Sequence, residues 1–272
     1  MPFNEKYSAY QLEGHSIWVF NNFSQSVLHV DPASLQQELE KNYPVRGKGD
    51  QIEGGVAQWV SGQNSALNYR GNDLKRGKMW FQIGEVKSFF LRYGYTGWQW
   101  AVLRATACVD KCSELAPVVH KYNTFVASHG FDEANHFIVT KYQDGKQNIG
   151  FHSDKAKDIK PGSLITVVKI GSCGRPFEIR RLAVEGEKQN KIKPFFSQIL
   201  APGTAVIMTL EANLSTQHGV PVVDGDCGPS GSIVFRTITK KVTFDKANIS
   251  IAKAVAEKVK RDDNKRARDE QV

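Results

Sequence analysis

His152 and Asp154, one serine apart in Asn148-Ile149-Gly150-Phe151-His152-Ser153-Asp154-Lys155, pair an imidazole with a carboxylate at a spacing that a strand would aim to one side. Such a pair supplies two ligands of a 2-His-1-carboxylate site, which holds non-haem Fe(II) while leaving positions open for oxygen chemistry. The tripeptide alone has little specificity, so a third ligand must come from elsewhere. Of the seven histidines, His15, His29, His120, His129 and His136 fall in turns or on predicted helix and strand surfaces with no carboxylate at ligand spacing, and read as structural or exposed. His218, in Ser215-Thr216-Gln217-His218-Gly219-Val220-Pro221, follows a strand ending at Leu210 and could meet the pair at one barrel mouth. Arg236, in the next strong strand, offers a planar fork for a carboxylate, the group a diacid co-substrate would present.

These residues need strands to position them. Phe137-Ile138-Val139-Thr140-Lys141-Tyr142 is rich in β-formers, and Asp144-Gly145 reads as a hairpin turn leading into the strand that carries His152. Further strands are predicted at 164–170, 177–180, 204–210 and 232–238, punctuated by Pro161-Gly162 and Pro202-Gly203. Two helices precede or flank them, one capped by Asp31 with Pro32 in its first turn, the other following Ser113 and stopped by Gly130. Many short strands with helices before them predict an α+β protein, a jelly roll or distorted barrel whose mouth would hold a small ligand.

Composition sets the frame. The 272 residues, 40% of them hydrophobic, can bury a sizeable core, and no apolar run reaches the length of a membrane span. The N-terminus lacks a signal-peptide pattern, so the expected location is intracellular, in nucleus or cytoplasm, and the expected state is a monomer with no membrane partner. Cys108, Cys112, Cys173 and Cys227 are too few for a disulfide framework and read as free thiols. A net charge of +8 favours polyanionic partners.

The order His-x-Asp, long gap, His, then Arg resembles the AlkB family of Fe(II)- and 2-oxoglutarate-dependent dioxygenases. The likeness extends from Trp18 to Thr239 and takes in Tyr142-Gln143-Asp144-Gly145, Lys160-Pro161-Gly162-Ser163, Gly171-Ser172-Cys173-Gly174-Arg175-Pro176-Phe177 and Ala201-Pro202-Gly203-Thr204. Tyr93-Gly94-Tyr95-Thr96-Gly97, after Lys75-Arg76-Gly77-Lys78, is similar to the lid that contacts the substrate base. The resemblance implies a double-stranded β-helix core with N-terminal helices packed outside it. It assigns 1–244 to the dioxygenase domain, lid included, and 245–272 to a C-terminal helix and mobile mixed-charge tail. It further implies that His152, Asp154 and His218 hold Fe(II), and that Arg236 binds a carboxylate of 2-oxoglutarate while Tyr142 hydrogen-bonds it. Dioxygen would be consumed in demethylating an alkylated DNA or RNA base, a DNA-repair chemistry that releases succinate, carbon dioxide and formaldehyde. Tyr95, Tyr93, Trp80 and Trp98 are the candidate wall for that base, and Arg76, Lys78 and Arg92 the candidate phosphate contacts.

The chain departs from the family pattern at three places. Ser230 stands where a first arginine is usual, and Arg180 or Lys240 could replace its charge. Thr140 stands where asparagine is common. Lys155 and Ala156 follow the metal motif in place of an acidic base-recognising residue, with Asp158 close by. The altered residues after Asp154 motivate a second reading, the same chemistry on a protein or small molecule. Ser230 motivates a third, a non-catalytic nucleic-acid-binding module.

Overall fold

The computed structural model describes residues 9–12, 14–46, 55–60, 68–69, 72–73, 76–84, 89–91, 93, 106–224 and 227–242. Its core strands are β1 (Ile17–Phe20), β2 (Gly77–Gln82), β3 (His136–Tyr142), β4 (Ile149–His152), β5 (Leu164–Gly171), β6 (Arg175–Arg181), β7 (Phe196–Leu200), β8 (Ala205–Thr209), β9 (Thr216–Val220) and β10 (Ser230–Arg236). The larger sheet has the order β1-β8-β5-β10-β3-β2 at its centre, flanked by Ala9–Gln11 on one side and by Trp59–Val60 and Val45–Arg46 on the other. The smaller sheet runs β4-β9-β6-β7. From β3 onward the chain winds between the two sheets, large, small, large, small, small, large, small, large. This winding makes a double-stranded β-helix, as expected.

The layers follow from which faces are apolar. Along β3, Phe137 and Val139 turn toward the helices while Ile138 and Tyr142 turn toward the smaller sheet. Both faces of the large sheet are thus covered, which is why its strands read as near-continuous apolar runs. Outside it pack α1 (Pro32–Asn42), through Leu35 and Leu39, and α2 (Ala116–Ser128), through Val118, Tyr122, Phe125 and Val126. Asp31 caps α1 as predicted, its carboxylate accepting from the Ser34 N–H at 2.7 Å.

Two expectations are corrected. Asp144-Gly145 does not turn a hairpin, because β3 pairs in the large sheet and β4 in the small one. The Asp144 side chain still makes a tight turn, accepting from the N–H groups of Lys146 and Gln147, but the turn carries the chain across the barrel. The strand expected to run through Leu210 stops at Thr209, whose hydroxyl caps α3 (Leu210–Ser215) by accepting from the Ala212 N–H. That short helix carries the chain over to β9.

Candidate metal centre

β4 ends at His152, and Asp154 lies beyond it in irregular chain, so strand alternation does not place the carboxylate. Asn213 of α3 does. Its side chain accepts from the Asp154 N–H at 2.7 Å and donates to the Asp154 carbonyl at 3.0 Å, while the Ser153 hydroxyl donates to the Thr216 carbonyl at 2.6 Å. His218 sits inside β9, directly across from His152, with ring centroids 4.5 Å apart. Ligand atoms of His152, Asp154 and His218 all lie within 4.8 Å of one another, close enough for one ion at bond lengths of roughly 2 Å.

The protonation states suit ligation. His152 Nδ1 lies 2.9 Å from the Gly150 carbonyl; a carbonyl only accepts, so Nδ1 carries the proton and Nε2 keeps its lone pair. Burial, then the neighbouring His218, pushes His152 down to about 3, and burial lowers His218 as well. His218 Nδ1 is buried with no hydrogen-bond partner among the described residues, and its ring stacks on Phe177. For Asp154, burial works to raise the carboxyl, but the Arg236 guanidinium overrides it and holds the group well below the usual range. Two neutral imidazoles and a carboxylate are the form in which these residues bind a divalent ion.

Arg236 was expected on a co-substrate carboxylate; here its fork is engaged by Asp154, Nε donating to Oδ2 and Nη2 to Oδ1, each at 2.9 Å. Tyr93, expected in the base wall, lines the cavity and also bonds the same carboxylate. Its hydroxyl donates to Asp154 Oδ1 at 3.0 Å and accepts from the Lys155 N–H, and its ring lies 4.5 Å under the Arg236 guanidinium. His136, expected at the surface, is buried directly opposite Arg236 on the neighbouring strand.

A cavity of about 710 Å³ opens on the triad, walled by Ile138, Val167, Phe177, Val220 and Val234. Thr140, Tyr142 and Arg76 line it, as does Lys78. Trp80 does not: it pairs with Ile138 and is packed in the core between the sheets. Asp158 is buried at 2% exposure in a short turn and also lies outside the cavity wall. Of the proposed replacement cations, Arg180 is spent on Gln217 and the Phe151 ring, and Lys240 is exposed. Ser230 is fully buried opposite Tyr142. Tyr95, Arg92, Trp98 and the segment 245–272 lie outside the described residues.

No protein-family model matches the chain. Among curated proteins it is 29% identical over 127 residues to the DNA oxidative demethylase ALKBH2 of Homo sapiens, covering 46% of this chain and 48% of that protein. It is 28% identical over 138 residues to the same enzyme of Bos taurus, covering 50% and 49%. Over that stretch the chain is similar to these AlkB-family enzymes, and it spans about half of their length. The solved structure of OsALKBH1 overlaps 84% of it at 14% identity with a TM-score of 0.43, too loosely to bear on the fold.

Sequence reasoning overlooked Asn213, His136, Lys169 and Arg175. Lys169 left one trace, a lone cation in the apolar run Leu164-Ile165-Thr166-Val167-Val168-Lys169-Ile170. The other three are recognisable only once the sheets are folded together.

Proposed function

We propose that this protein is an Fe(II)- and 2-oxoglutarate-dependent dioxygenase that oxidatively demethylates alkylated nucleic-acid bases. The observation that carries the reading is the convergence of His152, Asp154 and His218 on one point of a cavity. A bound Fe(II) there would supply the oxidising chemistry with dioxygen and 2-oxoglutarate. The chain's own residues do the positioning. His152 and His218 present neutral nitrogens, and Asp154 stays ionised because Arg236 and Tyr93 bond both of its oxygens. Val167, Phe177, Val220 and Val234 keep water from the reacting carbon. Arg76, which lines the cavity and donates to the Asn148 carbonyl, would be the phosphate contact, a partner the +8 charge favours.

Mass spectrometry of methylated DNA and RNA oligonucleotides incubated with iron-loaded protein and 2-oxoglutarate tests the proposal. Loss of the methyl group from at least one N-methylated base, absent in Asp154→Ala, is the expected result; no demethylation across the panel would overturn it. Asp158 lies away from the cavity, which leaves, among the described residues, no acidic side chain beyond the metal ligand on its wall to read a methylated base and favours a protein or small-molecule substrate as the second reading. Succinate release that is indifferent to every oligonucleotide would support that reading.

A further inference from the structure

Beyond the metal end of the cavity lies a second concentration of buried charge. On β5, Val168 and Ile170 face the helices, whereas Ile165 and Val167 face the smaller sheet. Alternation therefore turns Lys169 inward beside Val167, which lines the cavity. Its ammonium is 5.7 Å from the centre of the Tyr142 ring, another cavity residue. Lys169 is 1% exposed, and its Nζ has no hydrogen-bond partner among the described residues.

A second cation makes this placement worse. Arg175 lies over the same tyrosine ring at 5.3 Å, so two cations share one buried spot. Arg175 is occupied: it donates to the carbonyls of Asp144, Gly145, Gln147 and Pro221, tying down the crossover turn. Lys169 has no such ties. Burial, then Arg175, pushes its ammonium down to about 7. A buried cation without a partner is costly unless an anion joins it.

The position of the spot says which anion. Lys169 pairs across the sheet with Ser232, which lines the cavity on the same strand face as Val234 and Arg236. An acidic ligand with a carboxylate at each end could thus have one near the metal residues and the other near Lys169. We propose that Lys169 binds the distal carboxylate of 2-oxoglutarate, supplying the charge that Ser230 lacks. This rests on the dioxygenase reading above.

Anaerobic calorimetry of the iron-loaded full chain tests it, with 2-oxoglutarate and with 2-oxobutyrate, which lacks the distal carboxylate. Wild type should bind 2-oxoglutarate more tightly than 2-oxobutyrate. Lys169→Met should weaken 2-oxoglutarate by about 10- to 100-fold, the value of one charge-assisted contact, and leave 2-oxobutyrate unchanged; Lys169→Arg should recover part of the loss. Equal 2-oxoglutarate affinity in wild type and Lys169→Met would overturn the assignment while leaving the dioxygenase reading intact. A parallel loss of 2-oxobutyrate would also overturn it, by showing that the lysine only supports the fold. Should Lys169→Met fail to fold, the wild-type preference decides, and equal affinity for the two acids overturns the proposal. A wild type that binds neither acid overturns the reading and the proposal together.

Discussion

Asp154 is held by three residues among those described. Arg236 bonds both carboxylate oxygens, Tyr93 bonds one, and Asn213 fixes the backbone on both sides. Removing one member of a buried pair strands the other, so Arg236→Gln is expected to destabilise the metal-free protein by about 3 kcal/mol. Tyr93→Phe, which removes a single hydrogen bond, should cost about 1 kcal/mol. Denaturant unfolding measures both, and equal costs would contradict the hierarchy. His136 gives a pH signature. Burial, then Arg236, pushes it down to about 3 from an ordinary 6.5. Between those values the unfolded chain binds the proton and the folded one does not, so stability falls as pH drops from 6.5 toward 3. His136→Leu should flatten that dependence in urea unfolding at stepped pH. An unchanged slope would show that His136 takes no part in it.

At the scale of elements, close packing explains the central strand. A Cβ at Gly231 would lie 2.7 Å from the Thr140 carbonyl oxygen and 2.9 Å from Gln36 Oε1 and Ile170 Cγ1. Gly231→Ala should therefore destabilise by about 1 to 3 kcal/mol, read from thermal unfolding, and a neutral result would mean that the β3 and β10 backbones separate freely. Strands such as β3, β5 and β10 were legible because their β-branched runs are local signals. The crossover after Tyr142 was not: Asp144-Gly145 has the same turn chemistry whether the next strand pairs beside β3 or in the facing sheet. Asp154 was legible as a ligand candidate but for a geometric reason that does not hold, since Asn213, on an unforeseen helix, positions it. His218 was found through its motif, while the strand that carries it was not predicted.

At the scale of the molecule, a large sheet covered on one face by helices faces a smaller sheet across the cavity, and the metal candidates sit on the small-sheet side of that gap. The large sheet contributes Arg236, Tyr142 and Lys169, so the site exists only when both sheets are formed. The charge of +8 belongs to the whole chain, and it predicts how a nucleic acid would bind. Affinity for an oligonucleotide should fall linearly on a log-log plot against salt concentration, measured by fluorescence anisotropy; salt-independent binding would contradict an electrostatic contact.

We propose that His152, Asp154 and His218 act as one metal site. Anaerobic calorimetric titration of Fe(II) into the metal-free protein tests it most directly. The expected result is a single saturable site whose affinity falls by at least about 100-fold in His218→Ala, with the circular dichroism spectrum unchanged. Undiminished iron binding by that variant, or no binding by the wild type, would contradict the account.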